Sequence, residues 1–352
     1  MMCWKSKISL SRIFIILSIL LLFGCSKKIY DVVYPALNDG RYDSEFPYRN
    51  ASKQLEGISN SVKMLNYIVY YKAHIFDENQ NIRKVNINND LLKSDSEQLY
   101  FNETVSGTAT IMYFDERKVG LLTCAHVGNY PDTVYTFFNT HDGNKTDIIQ
   151  QVAIKVRENY FVNEIPGSDE FKIIASDKNR DLAFLAKNTD PDKFQQIRQF
   201  KYPIGESKNL ELGSFVYIIG YPMGHKMITK GIVSNTRDDK SDSFLIDALF
   251  NRGFSGGIIL AIKDGVPNFE LVGIAKSVSA KSDYFLAPVS MNGETMYSTN
   301  NVYRGNIHMK KHENINYGIT YTISTAEIIE FFKDNSSVLK ENGFDLEYLY
   351  NN

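Results

Sequence analysis

The stretch Asp247-Ala248-Leu249-Phe250-Asn251-Arg252-Gly253-Phe254-Ser255-Gly256-Gly257 sets one serine in a turn of glycines. A serine hydroxyl is a weak nucleophile until a base takes its proton and amides stabilise the oxyanion that forms. Small residues on both sides let the backbone fold tightly and aim the amides of Gly253 and Ser255 at one point. Glycine-serine turns are also common in plain loops and bulges, so the stretch alone leaves a structural reading open. Two upstream segments decide between them.

The first is Leu122-Thr123-Cys124-Ala125-His126-Val127. It follows an apolar run from Thr108 to Met112, a turn over Asp115 to Lys118, and a second run from Val119. That pattern predicts a hairpin whose second strand ends at a histidine. The second is Asn179-Arg180-Asp181-Leu182-Ala183-Phe184-Leu185, an aspartate opening a strongly apolar strand. Singly, a histidine at a strand end is a structural residue and an aspartate at a strand start is a turn former. Together, His126, Asp181 and Ser255 stand 55 and 74 residues apart, in an order that subtilisins and α/β-hydrolases do not use.

These segments resemble the trypsin-like, chymotrypsin-fold serine peptidases, and within them the bacterial high-temperature-requirement (Deg-type) branch. Thr123-Cys124-Ala125-His126 matches the histidine segment, Asp181 to Leu185 the D-L-A-x-L strand, and Asp247-Ala248 with Asn251-Arg252-Gly253 the run before the serine. Weaker matches are Gly107-Thr108-Ala109, Gly220-Tyr221-Pro222, Gly231 to Ser234 and Glu270 to Ile274. The resemblance covers about residues 60–335. It implies an all-β fold of two six-stranded antiparallel barrels and a C-terminal helix. It also implies a cofactor-free endopeptidase with His126 as base, Asp181 orienting it, Ser255 as nucleophile, and an oxyanion hole from the amides of Gly253 and Ser255. The substrate pocket would then lie near Leu249 and along Ile274, Ala275 and Lys276, with no fixed negative charge and a preference for a small or medium apolar side chain.

The chain departs from that pattern in three places. Phe254 stands where the family carries Asn or Asp before the serine, and an aspartate there receives the new N-terminus in the zymogen-activated branch. No PDZ module is expected to follow. Residues 280–316 read as an insertion in the hairpin after the nucleophile. Phe254 also raises the alternative of a catalytically inactive, binding or scaffolding protein on the same fold, if the ring collapses the oxyanion hole. If the ring only packs, Phe254→Asn is expected to leave activity intact or raise it.

Composition agrees with a large β core: 352 residues, 43% hydrophobic, with 22 Tyr and 22 Phe and recurrent β-branched runs. A formal charge of −2 gives no broad basic face, so nucleic acid is not an expected partner; protein or peptide substrates are. The first 24 residues read as a signal segment, with Lys5, Lys7 and Arg12 before an apolar run from Ile13 to Leu22 that is short for a membrane span. Leu22-Phe23-Gly24-Cys25 resembles a bacterial lipobox, making Cys25 the lipidated first residue of an envelope lipoprotein. Ser26 favours the outer membrane, and removal of residues 1–24 takes the charge from −2 to −5. Cys3 would leave with the signal and Cys25 would be acylated, so Cys124 alone remains, without a disulfide partner and expected to pack as a buried residue. His308 and His312 share helical spacing but lack the glutamate of H-E-x-x-H, where Met309 stands, so no metal is expected. His225 reads as a loop histidine in a glycine-containing turn.

The expected organisation is a signal peptide over 1–24, a tether over 25–58, a protease domain over 59–335 and a tail over 336–352. The first barrel would run over about 59–200 and the second over about 201–335. Ser324 and Glu327 predict a capped helix with Ile328, Ile329, Phe331 and Phe332 on its apolar face.

Overall fold

The computed structural model describes residues 38–94, 97–115, 117–139, 145–165, 170–189, 197–236, 243–288 and 307–350. The lipobox and Cys25 lie outside the described residues. Helix α1 (Ser52–Ser59) leads into β1 (Val62–Ile75), then α2 (Asn89–Ser94), β2 (Glu97–Phe114) and β3 (Lys118–Cys124). The first half continues with β4 (Thr133–Asn139), β5 (Lys145–Phe161), β6 (Lys172–Asp177) and β7 (Leu182–Asn188). The second holds β8 (Phe215–Gly220), β9 (Met227–Asn235), β10 (Leu245–Ile246), β11 (Ile258–Ile262), β12 (Phe269–Pro288) and β13 (Ile307–Ser324). Helices α3 (Thr325–Asp334) and α4 (Ser336–Glu341) close the chain.

The all-β expectation holds, with one difference in the first half. There the strands form a seven-stranded sheet in the order β4-β5-β1-β2-β3-β7-β6, curled rather than closed. The second half is the closed six-stranded barrel β10-β13-β12-β11-β8-β9. The expected hairpin is present: β2 and β3 pair from Ala109 opposite Thr123 to Phe114 opposite Val119.

Side-chain alternation divides the second half between two cores. On β11, Ile259 and Ala261 point into the barrel with Val216, Ile218 and Phe254, while Ile258, Leu260 and Ile262 face a larger core shared with the first sheet. Both faces are covered, which is why this strand reads as an unbroken apolar run. β3 and β7 are buried on both faces for the same reason. The helix α3 caps the shared core with Ile328, Phe331 and Phe332, and Ser324 Oγ accepts from the Glu327 amide at 3.2 Å as the sequence predicts.

Three regions differ from expectation. The tether contributes to the fold: Tyr42 packs on the second barrel, its hydroxyl donating to Glu270 at 2.7 Å, and Leu55 and Ile58 of α1 enter the core. The tail also packs, because Leu339, Phe344 and Leu346 cover Phe184 and its neighbours. The insertion after the nucleophile is largely ladder, since β12 and β13 stay paired out to Pro288 opposite Ile307, and residues 289–306 lie outside the described residues.

Phe254 is 2% exposed and packs into the barrel interior, 5.7 Å from the Phe250 ring. The ring therefore does not fill the cleft, and the expected tolerance of Phe254→Asn is corrected: an amide there would lie unpaired among apolar side chains. Phe254→Ala is expected to cost about 3–5 kcal/mol of stability, with Phe254→Asn no milder, in denaturant unfolding. An Asn variant as stable as the parent would contradict the inward placement.

Arg180 ties the turn before β7 to α3. Its guanidinium contacts Asp177 at 2.8 Å, Glu327 at 3.1 Å, Glu330 at 3.2 Å and Asp334 at 2.8 Å. Burial alone would raise the Asp177 carboxyl, but the Arg180 and Asn179 amides and the guanidinium outweigh it and hold it below its ordinary value of 3.8. The unfolded chain thus binds this proton first, so the stability contributed is complete above the ordinary value and lost as pH falls through the folded one. Arg180→Gln is expected to cost about 1 kcal/mol at neutral pH and to flatten the loss of stability below pH 4, measured by thermal unfolding across pH. An unchanged acid limb would contradict that role.

Candidate active site

The sheet register brings the first two candidate residues together. β3 and β7 run antiparallel with Cys124 opposite Leu182, so the next residues outward are Ala125 and Asp181. The Ala125 amide donates to the Asp181 carbonyl at 3.0 Å, and β3 then turns through one 3₁₀ turn that carries His126. The Asp181 carboxylate receives two bonds, from the His126 amide at 2.8 Å and from His126 Nδ1 at 2.7 Å. An ionised carboxylate can only accept, so Nδ1 is the donor of this bond, and in the neutral imidazole Nε2 is then the acceptor. Asp181 has φ +60°, a left-handed conformation that Asp tolerates better than most residues, and it is buried while the His126 side chain stays 42% exposed.

The nucleophile candidate arrives from the other half of the molecule. Ser255 lies on the turn between β10 and β11 and is held from two sides. Its carbonyl accepts from the Thr108 amide of β2 at 2.8 Å. Behind it, the Gly256 amide donates to the Ala275 carbonyl at 2.9 Å. A Cβ at Gly107 would meet both the Val127 side chain and the Ser255 carbonyl oxygen, so the residue after His126 and the backbone of Ser255 both approach Gly107. The Ser255 hydroxyl itself donates to the Lys276 carbonyl at 3.1 Å.

Gly253 has φ +103°, and a Cβ there would collide with the Tyr221 carbonyl oxygen, so the position requires glycine. The preceding peptide is fixed through its carbonyl: Arg252 O accepts from the Met223 amide at 2.9 Å. In a trans peptide the N–H points opposite to that carbonyl. The Thr108 hydroxyl donates to Gly253 O at 2.6 Å and accepts from the Tyr221 amide at 2.9 Å. Among the described residues, the amides of Gly253 and Ser255 donate to no protein acceptor. Two braced, unclaimed donors beside a serine are the chemistry an oxyanion requires.

The expected pocket residues are divided. Ile274 and Ala275 are fully buried in the two cores, and Leu249 is 62% exposed. The Lys276 carbonyl accepts from the Ser255 hydroxyl, so this part of β12 meets the serine through its backbone. His225 is exposed just beyond a 3₁₀ turn over Pro222–Gly224. A pocket of about 670 Å³ lined by Lys118, Lys172 and Phe344 contains none of these residues.

Cys124, His126 and Asp181 offer ligand atoms within 4.8 Å of one another. Burial pushes the Cys124 thiol well above its ordinary value, and its sulfur lies 3.6 Å from the Ala275 carbonyl. Cys124 is a free cysteine, 1% exposed, and packs as the sequence predicts.

Thr108, Thr123 and Tyr221 were not legible as functional residues. Thr123 Oγ1 donates to Thr108 O at 2.6 Å, extending the bracing into β3, three residues before His126. The available signal was two threonines inside apolar strands, where a hydroxyl needs a partner.

The family model for the trypsin-like peptidase domain matches residues 105–274. A curated "Serine protease HtrA-like" protein of Staphylococcus haemolyticus (strain JCSC1435) is 25% identical over 190 residues, covering 46% of this chain and 29% of that one. Its counterpart in Staphylococcus aureus (strain USA300) is 30% identical over 134 residues, covering 31% and 17%. The chain therefore spans less than a third of the length of these curated relatives. Among solved structures, an HtrA-type protease AlgW with tripeptide aligns at TM-score 0.39 and 19% identity, covering 80% of this chain and 62% of that one. The serine endoprotease from Yersinia pestis aligns at TM-score 0.38 and 18% identity, covering 83% and 68%. Residues 105–274, which carry His126, Asp181 and Ser255, thus match the trypsin-like peptidase domain and are similar in sequence to the HtrA-like serine proteases.

Proposed function

We propose that this chain is a serine endopeptidase that hydrolyses peptide bonds through His126, Asp181 and Ser255 and an acyl-enzyme intermediate. The observation that supports the reading is the pairing of His126 Nδ1 with Asp181 at 2.7 Å, together with the unclaimed amides of Gly253 and Ser255 in the nucleophile turn.

In the proposed mechanism the Ser255 hydroxyl leaves the Lys276 carbonyl and turns towards His126 Nε2. As Oγ attacks the substrate carbonyl, Nε2 takes its proton and Asp181 stabilises the imidazolium without itself being protonated. The carbonyl oxygen becomes an oxyanion facing the Gly253 and Ser255 amides; one such donor is worth roughly 2.7–4 kcal/mol in the transition state. Collapse breaks the C–N bond, and the imidazolium proton goes to the leaving amine. A water, deprotonated by Nε2, then releases the acyl group and restores the serine. The freed Lys276 carbonyl is placed to accept from a substrate backbone amide. Leu249 carries no charge, which supports an apolar side chain at the cleaved position.

The lipobox resemblance at Leu22 to Cys25 supports presentation of the domain from a bacterial envelope membrane through an acylated Cys25. Two or more acyl chains give stable anchoring where one alone is marginal.

A fluorophosphonate probe applied to the full chain is expected to label Ser255, read by mass spectrometry, and Ser255→Ala to abolish labelling. A well-folded parent that stays unlabelled would favour the inactive binding protein instead. Asp181→Asn is expected to keep the fold but lower kcat on a peptide substrate by about 10⁴-fold, because the imidazole would adopt the wrong tautomer. A loss below tenfold would remove Asp181 from the proposed mechanism.

A further inference from the structure

Lys63 is a buried cation outside the proposed catalytic residues. Lys63, on β1, has a side chain only 8% exposed and is ion-paired with Glu164, just beyond β5. Withdrawing an ammonium from water is unfavourable by several kcal/mol unless a partner and good geometry offset it. Here the partner is shared: Glu164 Oε1 accepts from the Tyr221 hydroxyl at 2.9 Å while Oε2 faces Lys63. Burial alone would raise the Glu164 carboxyl, but the bonds from Lys63 and Tyr221 outweigh it and hold it low, as a carboxylate. The Lys226 ammonium lies 5.7 Å from the centre of the Tyr221 ring and adds a second positive charge near the same carboxylate.

Tyr221 is therefore fixed at its hydroxyl by an ion pair with the first sheet. Its backbone is fixed at the other end, where the amide donates to Thr108 Oγ1 and the carbonyl oxygen packs where a Gly253 Cβ would stand. Two residues on, the Met223 amide holds the Arg252 carbonyl at 2.9 Å. The segment 221–223 thus braces the Arg252–Gly253 peptide, whose N–H is one of the two unclaimed donors.

We infer that Glu164 is a positioning residue: paired with Lys63, it holds Tyr221 so that residues 221–223 fix the Gly253 amide in its oxyanion-facing orientation. This rests on the proposed peptidase reading for its kinetic consequence, but not for its structural one. The steps it affects are acylation and deacylation, each of which passes through an oxyanion, while substrate binding along the Lys276 backbone is untouched.

The test uses the full chain in detergent, with Glu164→Gln and, as a gentler change, Tyr221→Phe. Both are expected to lower the rate of Ser255 labelling and kcat by roughly 10- to 100-fold, with KM within about twofold, as a small misplacement of a catalytic group does. The double variant is expected to lose no more than the worse single one, since both break one linkage. Selective ¹⁵N-glycine spectra supply a readout independent of turnover: the Gly253 amide resonance is expected to shift in both variants. Parent-like labelling and kcat in both, or a loss confined to KM, would overturn the inference while leaving the peptidase reading intact. If the parent itself does not label, the peptidase reading fails, and an unchanged Gly253 resonance in the variants would overturn the inference separately.

Discussion

The hydroxyl and backbone of Thr108 join the two β units at the point where the chemistry needs them joined. Its Oγ1 donates to Gly253 O and accepts from the Tyr221 amide, its amide reaches the Ser255 carbonyl, and its own carbonyl accepts from Thr123. Four hydrogen bonds through one buried residue connect β2, β3, the end of β8 and the nucleophile turn. Buried hydrogen bonds of this kind are expensive to leave unmade, so the interbarrel geometry is set by a network that is either complete or broken.

Two further constraints act on either side of that joint. Arg180 fixes the turn before β7 to α3 through several carboxylates, which holds Asp181 in its left-handed conformation beside His126. Lys63 and Glu164 fix Tyr221 behind the Arg252–Gly253 peptide. The candidate catalytic groups thus sit on strand ends and tight turns that ion pairs and hydrogen bonds tie to other elements. Such an arrangement favours preorganised electrostatics over rearrangement during the reaction.

Much of this was legible in the sequence, and the boundary is physical. The hairpin before His126, the strand opening after Asp181 and the cap at Ser324 all follow from local periodicity and turn chemistry. The association of His126 with Asp181 followed from segment order and resemblance, and its geometry comes from the β3–β7 register. What stayed hidden depends on contacts between distant residues. Thr108 and Gly253 are 145 residues apart, and Lys63 and Glu164 are 101 apart, with no local pattern to announce either pair. Phe254 was ambiguous because a turn has no period from which to read its inward face. Ile274 and Ala275 were named as pocket residues by position, whereas the register of β12 turns both into the cores.

The central claim is that the Gly253 and Ser255 amides form a preorganised oxyanion site beside the His126–Asp181 pair. A crystal structure of the protein phosphonylated at Ser255 tests it most directly. The account predicts the phosphonyl oxygen about 2.7–3.1 Å from both amide nitrogens, with the residue 221–223 segment unmoved. A phosphonyl oxygen turned into solvent, or an Arg252–Gly253 peptide that flips to accommodate it, would contradict the account.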